Sequence, residues 1–68
     1  MIVFTTSEVA KFCKVSTQTA SRWVDNGQLP GWRVPFTKHR RVSQKSLIKF
    51  MRDNGLPEDL IKEVEEVE

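Results

Sequence analysis

Apolar residues along this chain recur at helical spacing in several stretches and alternate in one, with polar caps and glycines at the junctions. The first helical stretch opens at Thr5-Thr6-Ser7-Glu8, which fits a capping box: Thr5 is the N-cap, Glu8 reaches back to it, and Phe4 and Val9 form the flanking hydrophobic staple. Val9, Phe12 and Cys13 then make a short apolar stripe on a helix that ends near Cys13. Lys14-Val15 leaves room only for a tight turn. Ser16 follows as a second N-cap, and its helix runs through Thr17 to about Asn26, where Gly27 stops it.

Beyond Gly27 the helical period is lost. Leu29-Pro30-Gly31 has the composition of a turn, and Trp32-Arg33-Val34 alternates as a half-buried strand does. A brief basic connection from Phe36 to Arg40 leads to Arg41-Val42, so the segment is expected to form a two-stranded hairpin. Ser43 caps a further helix, with Val42 and Leu47 as its staple and Leu47, Ile48, Phe50 and Met51 as its buried face, ended by Asn54-Gly55. Pro57, with Glu58 and Asp59 in the first turn, opens a last helix whose stripe is Leu60, Ile61, Val64 and Val67. The expected fold is mainly α with a small two-stranded β-hairpin and a C-terminal amphipathic helix. No repeat or low-complexity segment interrupts it.

A chain of 68 residues is near the lower limit for a self-sufficient hydrophobic core, which allows one domain. Cys13 has no second cysteine to pair with, and Cys13 and His39 together fall short of a zinc ligand set, so neither metal nor cofactor is expected. No long apolar run or leader pattern is present, which makes the cytoplasm the default location. The net charge of +2 conceals a strong asymmetry. Met1 to Gly55 carries ten Lys/Arg against three acids, net +7, whereas Leu56 to Glu68 carries Lys62 against six acids, net −5. A basic body of this kind suits a polyanionic partner, because each cation that neutralises a phosphate releases counterions.

Projection at roughly 100° per residue separates the faces of the second helix. Ala20, Trp23 and Val24 lie together, and Thr17, Gln18, Ser21, Arg22 and Asp25 occupy the opposite arc. Short hydrogen-bonding side chains and one arginine suit close approach to base edges in a major groove about 12 Å wide. Many solvated helix faces look the same in isolation. Here a tight turn precedes the face and the basic run Lys38-His39-Arg40-Arg41 follows it, which favours a DNA-reading arrangement.

With Val42 facing the core, alternation puts Arg40 on the same side, under the hairpin against a helix end or a backbone phosphate. His39 and Arg41 point away, and Arg33 adds an outward charge on the opposing strand. Lys38 and Arg41 are then free to meet phosphate or enter a minor groove. His39 is expected to hydrogen-bond or pack rather than to act as a switch or ligand. Phe36 is expected to pack on Trp32, the alternative being an apolar wedge at a minor groove. Catalysis finds no support: the chain has no tyrosine, one histidine, one cysteine and no pairing of base with nucleophile.

Taken together, Thr5-Thr6-Ser7-Glu8-Val9-Ala10, Val15-Ser16 with Thr19, Arg22 and Trp23, Gly27-Gln28-Leu29-Pro30 and His39-Arg40-Arg41-Val42 resemble the MerR-like winged helix-turn-helix domains, specifically the excisionase-type and BldC-like proteins. The resemblance spans about Phe4 to Leu56. It implies a winged helix-turn-helix over residues 1–55; residues 56–68, beyond it, are expected to form an acidic helix or the start of a linker. It casts Ser16, Thr17, Gln18, Thr19, Ser21 and Arg22 as the major-groove element, with Lys38 to Arg41 as a wing on the backbone or in the minor groove. Family wings usually turn through glycines where this chain has Phe36-Thr37-Lys38, so another kind of turn is expected at the tip.

The resemblance implies double-stranded DNA as partner and transcriptional regulation as role. The alternatives are an excisionase-like architectural role in site-specific recombination and, from another class, a protein-interaction winged helix without DNA binding. One small footprint gives modest affinity, so a second copy on adjacent sites or a fused dimerising domain is expected to supply specificity. The resemblance implies fusion to a further regulatory domain such as a receiver, the chain then being a fragment of a longer regulator.

Overall fold

Local side-chain bonds set the starts of the first three helices in the computed structural model, which describes residues 1–68. The backbone N–H of Glu8 donates to Thr5 Oγ1 at 3.2 Å and that of Thr5 to Glu8 Oε1 at 2.9 Å, completing the capping box of α1 (Thr6–Cys13). Ser16 Oγ accepts from the Thr19 N–H at 3.1 Å and opens α2 (Thr17–Asp25). Between them the chain turns on Lys14 in the left-handed conformation. Val15 N–H returns to the Ala10 carbonyl and Lys14 N–H to that of Lys11, a Schellman closure achieved without glycine.

The expected hairpin is present as β2 (Trp32–Arg33) and β3 (Arg40–Ser43), with Trp32 opposite Arg41 and Arg33 opposite Arg40. The sheet it belongs to, however, is not limited to these two strands. A further strand, β1 (Val3–Thr5), pairs antiparallel with β3, Phe4 opposite Val42, so β3 is the centre of a three-stranded sheet ordered β1-β3-β2. The physical reason is backbone satisfaction: β3 has two edges, and the residues leading into the Thr5 cap are extended and can take the second. Gly31 allows the chain to enter β2 beside β3, since a Cβ there would lie 2.6 Å from the Arg41 carbonyl oxygen.

From β3 the chain passes through Ser43, whose Oγ accepts from the Ser46 N–H at 3.2 Å, into α3 (Gln44–Asp53). Gly55 at φ +69° closes that helix and leads to α4 (Glu58–Glu65). Helix α4 folds back on the rest of the chain. Ile61 and Val64 are buried with Phe4, Val9, Ala20, Leu29, Val42, Leu47 and Met51 in one cluster, against which Leu60 and Val67 pack. Gln44 Nε2 donates to the carbonyls of Val64 at 2.8 Å and Val67 at 3.0 Å, and Arg52 meets Glu65 at 3.0 Å, so α3 holds the end of α4.

The buried residues are all apolar, and no buried side-chain polar atom lacks a partner. Phe4 and Phe12 meet edge to face, and Trp23 of α2 stacks at a tilt on Phe50 of α3 with ring centroids 4.9 Å apart. That contact fixes how α2 rolls on the core and therefore which of its faces looks outward. Burial pushes the Cys13 thiol pKa up and keeps it in its protonated, unreactive form.

Candidate nucleic-acid interface

Helix α2 turns Ala20 into the core and packs Trp23 and Val24 partly against it, which leaves Thr17, Gln18, Arg22 and Asp25 exposed and Ser21 half-buried. Gln18, Ser21, Arg22 and Asp25 follow one another at intervals that keep them on one face. Its first turn holds no acid. Ser16 and Thr19 are engaged with each other, their hydroxyl oxygens 2.9 Å apart, and serve the cap. Thr17, Gln18 and Arg22 have no side-chain partner within the chain.

The hairpin comes to the same face through Asp25. Arg40 Nε is 2.7 Å from Asp25 Oδ1 and a terminal guanidinium nitrogen 2.9 Å from Oδ2, a two-pronged bond that leaves the Arg40 side chain 19% exposed. Arg33, opposite Arg40 on β2, approaches Asp25 Oδ1 at 3.5 Å while staying mostly exposed. Arg40 thus lies on the Val42 side against a helix end, as alternation requires. Arg33 corrects the expectation of a freely outward charge, because the residue opposite Arg40 shares its face of the sheet and is drawn to the same carboxylate. The Arg40 hydrogen bond and charge hold the Asp25 carboxyl below its usual range, with Arg33 assisting.

Arg41 takes the other face of the sheet, beside Trp32 and Thr5 on the flanking strands, and donates to the Arg40 carbonyl at 3.0 Å. Lys38 and His39 are exposed at the loop end of the hairpin. Arg22, Lys38 and Arg41 are absent from the chain's ion pairs, so their charge is available to a polyanion.

The tip itself departs from expectation in two ways. Thr37 N–H returns to the Val34 carbonyl at 3.2 Å across Pro35 and Phe36, and Phe36 sits at φ +65°. Proline at the second position and positive φ at the third are the pattern of a type II turn, so the position glycine would normally occupy is taken by phenylalanine at a cost of roughly 1 kcal/mol. The ring does not pack on Trp32: Phe36 is fully exposed, because the turn that sets its backbone carries it away from both strands.

Asp25 was visible in the sequence only as one polar residue of the α2 arc. Its role as anchor could have been found by elimination among the three acids before Leu56. Glu8 is used by the capping box and Asp53 by Lys49 at 3.1 Å, which leaves Asp25 for the wing arginines.

No group of His, Cys, Asp and Glu side chains is gathered as a metal would require, and no helix is long and apolar enough to cross a membrane. A helix, a tight turn and a second helix whose polar face is joined to a basic hairpin define a winged helix-turn-helix of the DNA-binding kind. Residues 3–55, more than half of the chain, match the family model described as "Helix-turn-helix domain", and the chain belongs to that family. No curated protein and no solved structure matches it significantly.

Proposed function

We propose that the protein is a sequence-specific double-stranded DNA-binding regulator of transcription, of the MerR-like, excisionase-type branch of its family. Thr17, Gln18, Ser21 and Arg22 meet base edges and phosphates in the major groove, with the cap residues Ser16 and Thr19 presenting the start of α2. Lys38 and His39 meet the backbone or the adjacent minor groove from the wing tip, and Arg41 reaches phosphate from the outer face of the sheet. Arg33 and Arg40 hold the wing in place through Asp25, with Arg33 exposed enough to meet a phosphate as well.

One observation carries this reading: the Asp25 carboxylate ties the basic wing to the same face of α2 that presents Gln18 and Arg22. A protein-docking surface has no need of cations left without acidic partners beside a face of short polar side chains. Useful specificity calls for a second copy on an adjacent site or a fused regulatory domain, since a single footprint of this size gives modest discrimination.

The test is a salt titration. Binding to a mixed-sequence duplex of about 20 base pairs is expected at about 50 mM salt and to weaken log-linearly as salt rises. Enrichment from a random pool is expected to yield a preferred site bound about a thousandfold or more tighter. Absence of binding to any duplex at low salt overturns the proposal.

A further inference from the structure

We infer that Phe36 is an apolar wedge that enters the minor groove between base pairs and kinks the duplex; this rests on the DNA-binding reading and adds a residue and a deformation to it. Phe36 is the most exposed large apolar side chain, at 108% relative exposure; Trp32 is 44% exposed, and the other four aromatic rings lie in or against the core. Water is a poor solvent for a phenyl ring, and nothing in the chain covers it.

The turn that presents the ring is held firmly. Pro35 presets its first corner, the Thr37 N–H and hydroxyl both donate to the Val34 carbonyl, at 3.2 Å and 2.9 Å, and Thr37 Oγ1 accepts from the His39 N–H at 3.1 Å. Arg40 adds a bond to the Lys38 carbonyl at 3.0 Å, so the loop is braced from the same guanidinium that grips Asp25. Phe36 itself occupies a left-handed backbone that glycine would adopt without strain. The tip therefore pairs a rigid, strained mount with a ring aimed at solvent.

Charge chooses the occupant. Lys38 stands two residues away with no acidic partner, the wing bears Arg33, Arg40 and Arg41, and its one nearby acid is already neutralised. An exposed apolar ring at the tip of a net-positive hairpin suits a surface that is anionic outside and apolar within, which describes stacked bases between phosphate strands. Inserted apolar side chains unstack a base step and bend DNA by about 20–90°. Pyrimidine–purine steps yield most readily.

The experiment uses a duplex enriched on the wild-type chain from a random pool, labelled at both ends for energy transfer and carrying 2-aminopurine beside a TA step. Phe36→Gly suits the turn and removes the ring; Phe36→Leu retains an apolar wedge. Wild-type binding is expected to shorten the end-to-end distance and raise 2-aminopurine fluorescence. Phe36→Gly is expected to bind about tenfold more weakly, with an unchanged salt slope and no bend, and Phe36→Leu to keep most of both signals.

Wild-type affinity and bending in Phe36→Gly would overturn the wedge while leaving DNA binding intact. A wild-type dimer in sedimentation that Phe36→Gly abolishes would assign the ring to a contact between copies instead. Failure of the wild-type chain to bind any duplex removes the DNA-binding reading, and the wedge with it.

Discussion

Arg40 grips Asp25 with both prongs of its guanidinium, at 2.7 Å and 2.9 Å, and thereby ties the central strand of the sheet to the last residue of the outward-facing helix α2. For the proposed DNA recognition the bond has two consequences that pull in opposite directions. It orders the wing beside α2, and it spends on a carboxylate a positive charge that phosphate would otherwise attract.

Asp25→Asn separates these effects. Loss of the anion frees Arg40 and Arg33, so binding to random duplex is expected to strengthen and its salt slope to steepen by about one to two units. Discrimination between an enriched site and random duplex is expected to fall, because the wing no longer holds a fixed place. Anisotropy titrations over salt read both quantities, and an unchanged slope would mean that the arginines remain unavailable.

The same bond makes stability depend on acid. The Asp25 pKa is lowered below its ordinary 3.8 in the folded protein, so its contribution is fully present above that value and is lost as pH falls through the lower folded value. Wild-type protein is therefore expected to lose more urea resistance than Asp25→Asn between about pH 5 and about pH 2. Parallel urea midpoints for the two proteins would count against the linkage.

Arg22 and Lys38 should fail differently. Arg22→Ala is expected to cost about 1–3 kcal/mol on the enriched site and little on random DNA, whereas Lys38→Ala weakens both alike and flattens the salt slope by about one unit. Equal losses on both duplexes from both variants would contradict the division between reading and positioning.

Gly31→Ala is expected to destabilise the fold by about 1–3 kcal/mol, because the new methyl meets the Arg41 carbonyl, a backbone atom that cannot swing aside. The hairpin should loosen first. Amide exchange at Val34, which donates to the His39 carbonyl at 2.9 Å, reports that directly, and a midpoint shift with Val34 still protected would place the damage elsewhere.

Helix α4 completes the core, and Ile61→Ala is expected to lower stability by about 2–5 kcal/mol, as for other buried aliphatic truncations. Leu60→Ala, at a half-buried position, should cost less. A change within about 0.5 kcal/mol for Ile61→Ala would show that the last helix detaches freely.

The helices were legible because their ends are decided within a few residues. Thr5 with Glu8, Ser16 with Thr19 and Ser43 with Ser46 are bonds across three positions, and Gly55 closes α3 by its own backbone freedom. The polar arc of α2 followed from spacing alone, as did the placement of Arg40 on the Val42 side of its strand. Strand β1 was not legible, since Val3–Thr5 is too short to show alternation and its partner Val42 is remote in sequence.

By itself, then, the sequence determined the helices, their caps, the basic run at the wing and the polar face of α2, since these rest on local bonds and on periodicity. Only the tertiary structure decided the three-stranded sheet, the sharing of Asp25 by Arg33 and Arg40, and the exposure of Phe36 on a left-handed backbone. Each of these depends on which distant segments meet around one small core. A carboxylate chooses its cation, and a turn residue its backbone, only after the strands on either side have been paired.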